Sequence, residues 1–146
     1  MAFRFKFETL LKVRKIWENM ALQAFSHAQR QHLALLAMKT QIESRRDGLR
    51  HDLMNKMKGG LNSSEVKSYY DYLFHLEEGI ERLQENISSA EQQVTLKRKE
   101  LLKTKRAYKA IARLKEIDQA RYDTLERKTD MNFIDEIAIL RHGGER

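Results

Sequence analysis

The sequence predicts an all-α protein, a long antiparallel two-helix coiled-coil hairpin that takes in residues 1–146 as a single unit. The chain contains no proline, although ~5% of the residues in an average protein are proline. Apolar residues recur at alternating spacings of three and four, which is the heptad pattern of a coiled coil. The strongest break is the pair Gly59-Gly60, and glycine pairs mark turns. Together these observations favour two long helices joined by one short turn.

The first helix is predicted from about residue 6 to residue 58. Its apolar stripe is imperfect because Arg45 or Arg46 interrupts it. Close to one phase lie Leu35, Met38, Ile42, Leu49, Leu53 and Met57. A turn over residues 59–63 follows. At its end Asn62 has the spacing from Glu65 of an N-terminal capping box, with Ser63 or Ser64 as the alternative cap.

The second helix is predicted from about residue 64 to residue 128 and has the clearest periodicity. Steps of three and four from Val66 to Leu125 reach 18 positions, of which 14 are apolar. The polar exceptions all follow residue 96, where the stripe drifts as a 3.6-residue helix must against a 3.5-residue repeat. Residues 129–141 are interpreted as a terminal helical tail, either a short helix or an extension of the second one, because Met131, Phe133 and Ile137 have helical spacing.

Charge is distributed unevenly along the two helices. Residues 59–95 carry seven acidic and two basic side chains, whereas residues 96–128 carry twelve basic and five acidic ones. If Lys58 lies opposite Glu65, residue i faces roughly residue 123 − i, and the acidic stretch lies along the basic stretch Lys39–Lys58. At the other end of the hairpin two basic stretches lie side by side, and an acidic partner would relieve their repulsion.

The composition and motifs exclude several classes of protein. Without cysteine there is no disulfide framework, zinc ribbon or thiol nucleophile. We expect no transmembrane segment, because no window approaches ~18 uncharged apolar residues. Phosphate-binding and nucleophile-elbow patterns are absent from the sequence. We therefore expect no catalytic site, no metal, no cofactor and no enzyme activity. Nucleic acid is not expected either, because acidic residues interleave with the basic clusters.

The open end of the hairpin, where the two chain termini lie, is the predicted docking surface. It combines unbalanced basic charge with aromatic side chains, which interfaces use as anchors. The candidate residues are Phe5, Phe7, Leu10, Leu11, Arg14, Trp17, Lys103, Arg106, Lys109 and Arg113. Near the turn, Tyr70, Tyr72 and Phe74 lie off the seam and suggest a second contact patch, with packing on the first helix as the alternative for Phe74.

Three segments resemble the FliJ family of flagellar export proteins. The first is the opening, residues 3–14, FRFKFETLLKVR. The second is the turn and helix start, with Gly60-Leu61, Tyr69-Tyr70 and residues 76–80, LEEGI. The third is residues 130–138, DMNFIDEIA, in which DEIA is the most telling piece. In this order and at this length, the segments extend the resemblance over nearly the whole chain.

The resemblance implies a hairpin similar to the central stalk subunit of rotary ATPases. Proteins of this family dock into the hexameric ring of the flagellar export ATPase, promote its assembly and activity, and link it to the cytoplasmic region of a membrane export-gate protein. They also contact export chaperones. A cytoplasmic location, peripheral to the inner face of the cell membrane at the flagellar base, is implied as well. The open end of the hairpin would then enter the ATPase ring.

The resemblance also implies a gate contact on the half of the hairpin near the turn. Carried over by position, this contact would involve Ile42, Leu49, Tyr72, Leu76 and Gly79. Core packing is the alternative role for the three aliphatic residues, and a tolerated surface glycine is the alternative for Gly79. The alternative functions are the equivalent stalk of a virulence type III secretion system and a basic coiled-coil binder of nucleic acid or a membrane surface.

Overall fold

The protein is all-α, as predicted, in a computed structural model that describes residues 2–144. Helix α1 comprises Glu8–Lys58 and helix α2 comprises Ser63–Gly144. The two helices pack against each other as a helical hairpin, and no strand occurs among the residues described. The predicted single unit also takes in residues 1, 145 and 146, which lie outside the described residues.

The ends of α1 are stabilised by local hydrogen bonds and by charge. At its start, the backbone N–H of Leu11 donates to the carbonyl of Phe7 at 2.9 Å. Glu8 lies in the first turn, and Lys56 and Lys58 lie in the last. This placement is favourable because the helix dipole is positive at its N-terminus and negative at its C-terminus.

The turn between the helices uses glycine and asparagine for separate tasks. Gly60 has a φ of 83°, a left-handed conformation that a residue without a Cβ adopts at no steric cost. The side-chain Oδ1 of Asn62 then accepts the backbone N–H of Glu65 at 2.8 Å. Asn62 is therefore the N-cap of α2, chosen from the three caps that the sequence allowed. From there α2 continues without a break through residues 129–144.

The chain divides into two compact units. Unit 2 comprises residues 21–101, and unit 1 combines the residues up to 20 with those from 102 onward. The buried apolar side chains of unit 2 are Ala28, Leu53, Leu73, Leu76, Ile87 and Leu101. Its contacts between the helices are His32 with Glu91 (3.5 Å), Arg50 with Glu77 (2.5 Å), Lys56 with Tyr69 (2.5 Å) and the guanidinium of Arg98 over the ring of Phe25 (5.7 Å to the centroid). Each pair lies within four residues of the predicted pairing.

Unit 1 has a thinner apolar seam, in which Phe5 is the one buried large side chain among the residues described. Its contacts between the helices are Glu8 with Lys115 (3.0 Å), the ammonium of Lys15 over the ring of Tyr108 (4.8 Å to the centroid) and Phe3 with Tyr122 (5.5 Å between centroids). The first two pairs match the predicted pairing. After Tyr122, every side chain of α2 through residue 143 is exposed.

Candidate functional site

The predicted docking residues at the chain start divide into a packed and an open group. Phe5 is buried, and its ring lies edge-on to Phe7 with 5.9 Å between centroids. Phe7 itself is exposed. Phe5 therefore holds the segment before α1 in place, while Phe7 presents an aromatic surface to solvent. Leu10 and Leu11 are both half-buried.

The next two turns of α1 carry a cation stacked on an aromatic ring. The guanidinium of Arg14 lies 5.2 Å from the ring centroid of Trp17, which is exposed. Such a pair is attracted by the ring quadrupole and presents a large, rigid surface. Nε of Arg14 is buried without a hydrogen-bond acceptor. Oε2 of Glu18 is likewise buried without a hydrogen-bond donor. Because solvent reaches neither atom, the exposed ring of Trp17 is the part of this cluster that a partner can contact.

The predicted basic residues of α2 form a single row. Lys103, Arg106, Lys109 and Arg113 are all exposed, and their spacings of three and four place them on one face of the helix. Arg113 bonds to Glu116 one turn later at 3.0 Å. The other three form no ion pair within residues 2–144. This row, defined as Lys103, Arg106 and Lys109, is a surface of uncompensated positive charge.

The end of α2 carries an apolar surface that was not among the predicted site residues. Between residues 123 and 143 the exposed large apolar side chains are Leu125, Met131, Phe133, Ile134, Ile137, Ile139 and Leu140. Four of them, Met131, Phe133, Ile134 and Ile137, follow helical spacing in the sequence. The sequence contained a signal for this surface. Under the predicted pairing α1 has no residues opposite this part of α2, yet the apolar stripe continues through it. Apolar surface of this kind marks an interaction site.

The residues assigned to the gate contact also divide into two groups. Leu76 is buried, and Ile42 and Leu49 are half-buried, so all three contribute to the seam of unit 2. Tyr72 is 47% exposed. Gly79 is half-buried, yet no atom lies within 4 Å of the position that a Cβ would take there. Tyr72 and Gly79 are therefore the members of the set that a partner can reach.

A second glycine of unit 2 shares this property, and sequence reasoning passed over it. Gly48 lies inside α1, and a Cβ added there also meets nothing within 4 Å. A glycine inside a helix costs about 1 kcal/mol relative to alanine. A glycine inside the predicted first helix was the feature of the sequence that could have drawn attention to it.

The second predicted patch near the turn is open to solvent. Tyr70 and Phe74 are 54% and 63% exposed, so Phe74 does not pack into the seam. The neighbouring Lys56 donates a hydrogen bond to the hydroxyl of Tyr69 at 2.5 Å. This hydrogen bond, reinforced by the electrostatic interaction with Tyr69, raises the pKa of the Lys56 ammonium above 10.5.

No group of three or more metal-ligating side chains is found within residues 2–144. In the same range, neither helix offers a stretch long and apolar enough to cross a membrane.

Comparison with known proteins gives one family and one solved structure. A family model described as "Flagellar FliJ protein" matches residues 3–146. A search of curated proteins finds no match. Among solved structures, a YscO homologue, CT670 from Chlamydia trachomatis, is 17% identical, with 97% of this chain and 96% of that chain covered. The TM-score is 0.47, too low for that likeness to bear on function.

Proposed function

This chain belongs to the FliJ family of flagellar export proteins, and from that premise we propose that it is a non-enzymatic central stalk of the type III export apparatus. In this role unit 1 docks into the ring of the export ATPase and promotes its assembly and activity. Unit 2 links the ring to the cytoplasmic region of the membrane export gate. Family membership also supports contacts with export chaperones and a place at the inner face of the membrane.

The observation that carries the proposal is the chemistry of unit 1. Its exposed row of Lys103, Arg106 and Lys109 has no internal counter-charge, and exposed aromatics lie at Phe7 and Trp17. Uncompensated charge steers a partner of opposite sign, and aromatic anchors supply most of the affinity once it is bound. Unit 1 therefore has the composition of an interface that is completed by another protein.

A stalk of this kind can act on a ring of identical subunits because it is itself asymmetric. The row of α2 and the Arg14–Trp17 stack of α1 belong to different helices, so the ring subunits meet different surfaces. A ligand shifts a conformational equilibrium only through its differential affinity for the two states. Unequal contacts would therefore favour different conformations in different ATPase subunits.

The proposal is tested by the ATP hydrolysis rate of the cognate export ATPase, titrated with this chain. The test variant replaces Lys103, Arg106 and Lys109 by alanine. The matched control replaces Lys58, Lys67 and Arg82, which are equally exposed basic residues of unit 2. Substitution is preferable to deletion of the N-terminus, because the buried ring of Phe5 stabilises that end.

We expect the wild-type chain and the control to raise the hydrolysis rate at the same concentration. The test variant should require about tenfold more protein, because steering and charge complementarity are lost. Equal stimulation by the test variant and the wild type would show that the row of Lys103, Arg106 and Lys109 is not the docking surface. No stimulation by the wild-type chain at a concentration that saturates binding would reject the stalk function itself.

A further inference from the structure

The end of α2, residues 123–143, has no helix beside it in the described part of the chain. The ring of Tyr122 still contacts that of Phe3, but every side chain from residue 123 to residue 143 is exposed. Helices in proteins gain most of their stability by packing an apolar face on a neighbour, and much less from intrinsic propensity. The apolar side chains of this segment therefore lack the contact that would stabilise it.

Six side chains of the segment lie on one face of the helix. Their spacing of i, i+3, i+4, i+7, i+10 and i+11 keeps them within about 120° of the helix circumference. An acidic side chain begins the face, four apolar ones follow, and a basic one ends it. We call this set the terminal face, and it consists of Asp130, Phe133, Ile134, Ile137, Leu140 and Arg141.

The two charged ends of the terminal face are open. Asp130 and Arg141 are exposed, and neither forms an ion pair within residues 2–144. They cannot pair with each other, because 11 residues of helix separate them by about 16 Å. Each charge is therefore available to a counter-charge on another molecule.

We propose that the terminal face pairs with the terminal face of a second copy of this chain, antiparallel across a two-fold axis. Asp130 of each copy then lies level with Arg141 of the other, so that the symmetry makes two equal ion pairs. Between these pairs, Ile134 of each copy lies level with Ile137 of the other. Apolar side chains thus meet apolar side chains over the whole length that the two ion pairs enclose.

The order of charges favours this arrangement over a parallel one. A parallel pair in register would place Asp130 beside its own counterpart and Arg141 beside its own, and like charges repel. Glu136 meets its counterpart in the antiparallel pair, but it lies about 100° around the helix from Ile137. That contact is at the solvent-exposed rim, where salt screens the repulsion.

A second copy also fits the hairpin without crowding it. Tyr122 is the last residue of α2 with a ring contact to the segment before α1, and it lies about 20 Å along the helix from the two-fold axis. The seam of unit 1 in each copy is therefore clear of the other copy. A different protein would have to carry the same order of acidic, apolar and basic side chains, which a second copy carries already.

This pairing is independent of the proposed function, because it requires neither the export ATPase nor the gate. It is tested by the mass of the full chain in sedimentation equilibrium, from about 1 μM to about 1 mM, because a contact of this small size is weak. The charge variants are Asp130→Arg and Arg141→Asp. The matched control is Asp135→Arg, which reverses an exposed charge on the opposite side of the helix from Ile137.

We expect the wild-type chain and the control to dimerise with the same dissociation constant. Each charge variant alone should dimerise at least about tenfold more weakly, because both ion pairs become pairs of like charge. An equimolar mixture of the two variants should dimerise like the wild type, since both contacts of the mixed pair again join opposite charges. Such a rescue cannot arise within one chain.

A second pair of variants tests the apolar part of the terminal face. Ile137→Ala should weaken dimerisation about tenfold, since the substitution removes a central contact from both copies. Ile139→Ala makes the same change at a side chain that is 70% exposed and lies on the opposite side of the helix, so it should have no effect. Alanine is a better helix former than isoleucine, and neither variant should shorten α2.

Four outcomes would overturn the pairing. A wild-type chain that stays monomeric up to about 1 mM would leave the terminal face to a different protein. Undiminished dimerisation of both charge variants would place the contact on another surface, and a monomeric mixture of the two would exclude the antiparallel arrangement. Equal loss in Ile137→Ala and Ile139→Ala would show that no particular face is used. The ATPase assay tests ring docking separately, so failure here leaves the proposed function standing.

Discussion

Units 1 and 2 share the same two helices but bury different amounts of apolar side chain. Unit 2 contains six of the seven buried apolar residues within residues 2–144, and unit 1 contains only Phe5. Both units join their helices by an ion pair and by a cation over an aromatic ring. In unit 2 these are Arg50 with Glu77 and Arg98 over Phe25. In unit 1 they are Lys115 with Glu8 and Lys15 over Tyr108.

The two units also differ in the order of charges along the chain. In unit 2 a basic stretch of α1 lies along an acidic stretch of α2, whereas in unit 1 both helices are basic. Complementary charge closes a seam, whereas like charge leaves a repulsion that salt or an acidic partner relieves. The charge pattern therefore favours pairing of the helices in unit 2 and opposes it in unit 1.

The largest expected effect is on the free energy of unfolding, when a leucine in the buried seam of unit 2 and a leucine at the exposed end of unit 1 are each replaced by alanine. Leu53→Ala should lower the free energy of unfolding by about 2–3 kcal/mol, since it removes a buried side chain and leaves a cavity. Leu125→Ala, at a leucine that is 64% exposed, should change it by less than about 0.5 kcal/mol. Urea unfolding followed by circular dichroism measures both. A comparable loss at Leu125 would break the contrast between the units.

The next effect concerns local stability and its response to salt. Amide hydrogens of residues 8–20 in unit 1 should exchange about tenfold faster than those of residues 40–55 in unit 2, because fewer buried contacts oppose local opening. Added salt should narrow the gap, since it screens the repulsion in unit 1 and the attraction in unit 2. Hydrogen exchange read by mass spectrometry at low and high salt measures this. A gap that widens with salt would refute the electrostatic explanation.

The smallest effect sharpens the description of unit 2 near the turn. The hydrogen bond to Tyr69 raises the pKa of Lys56 in the folded chain above 10.5. A raised pKa stabilises the fold below the unfolded value, and that stabilisation is lost as the pH rises through the folded value. The stabilising contribution of the Lys56–Tyr69 pair should therefore be lost only above pH 10.5, which would be measured as a small fall in the melting temperature. The variant Tyr69→Phe should not show this fall in melting temperature. If its melting temperature depends on pH as the wild type's does, the Lys56–Tyr69 pair is not the cause of the fall.

The candidate surfaces were only partly predictable from the sequence. The row Lys103, Arg106 and Lys109 was found, because unbalanced charge can be counted and helical spacing fixes the face. The exposed apolar end of α2 and the position of Gly48 were missed as site features. Whether these residues are exposed depends on which residues of the other helix lie opposite them. The spacing of residues along one helix does not give that information.

The sequence by itself determined the fold class, the turn at Gly59-Gly60, the start of α2 within residues 62–64 and the approximate pairing of the helices. These features depend on backbone sterics, local hydrogen bonds and the apolar and charged pattern, all of which are encoded within a few turns. Tertiary structure alone decided that Phe74 is open to solvent and not packed on α1, and that Gly48 lies level with Gly79. Burial is settled by the rotation of each helix against its partner, and a small rotation moves a residue at the edge of the stripe from the seam to the solvent.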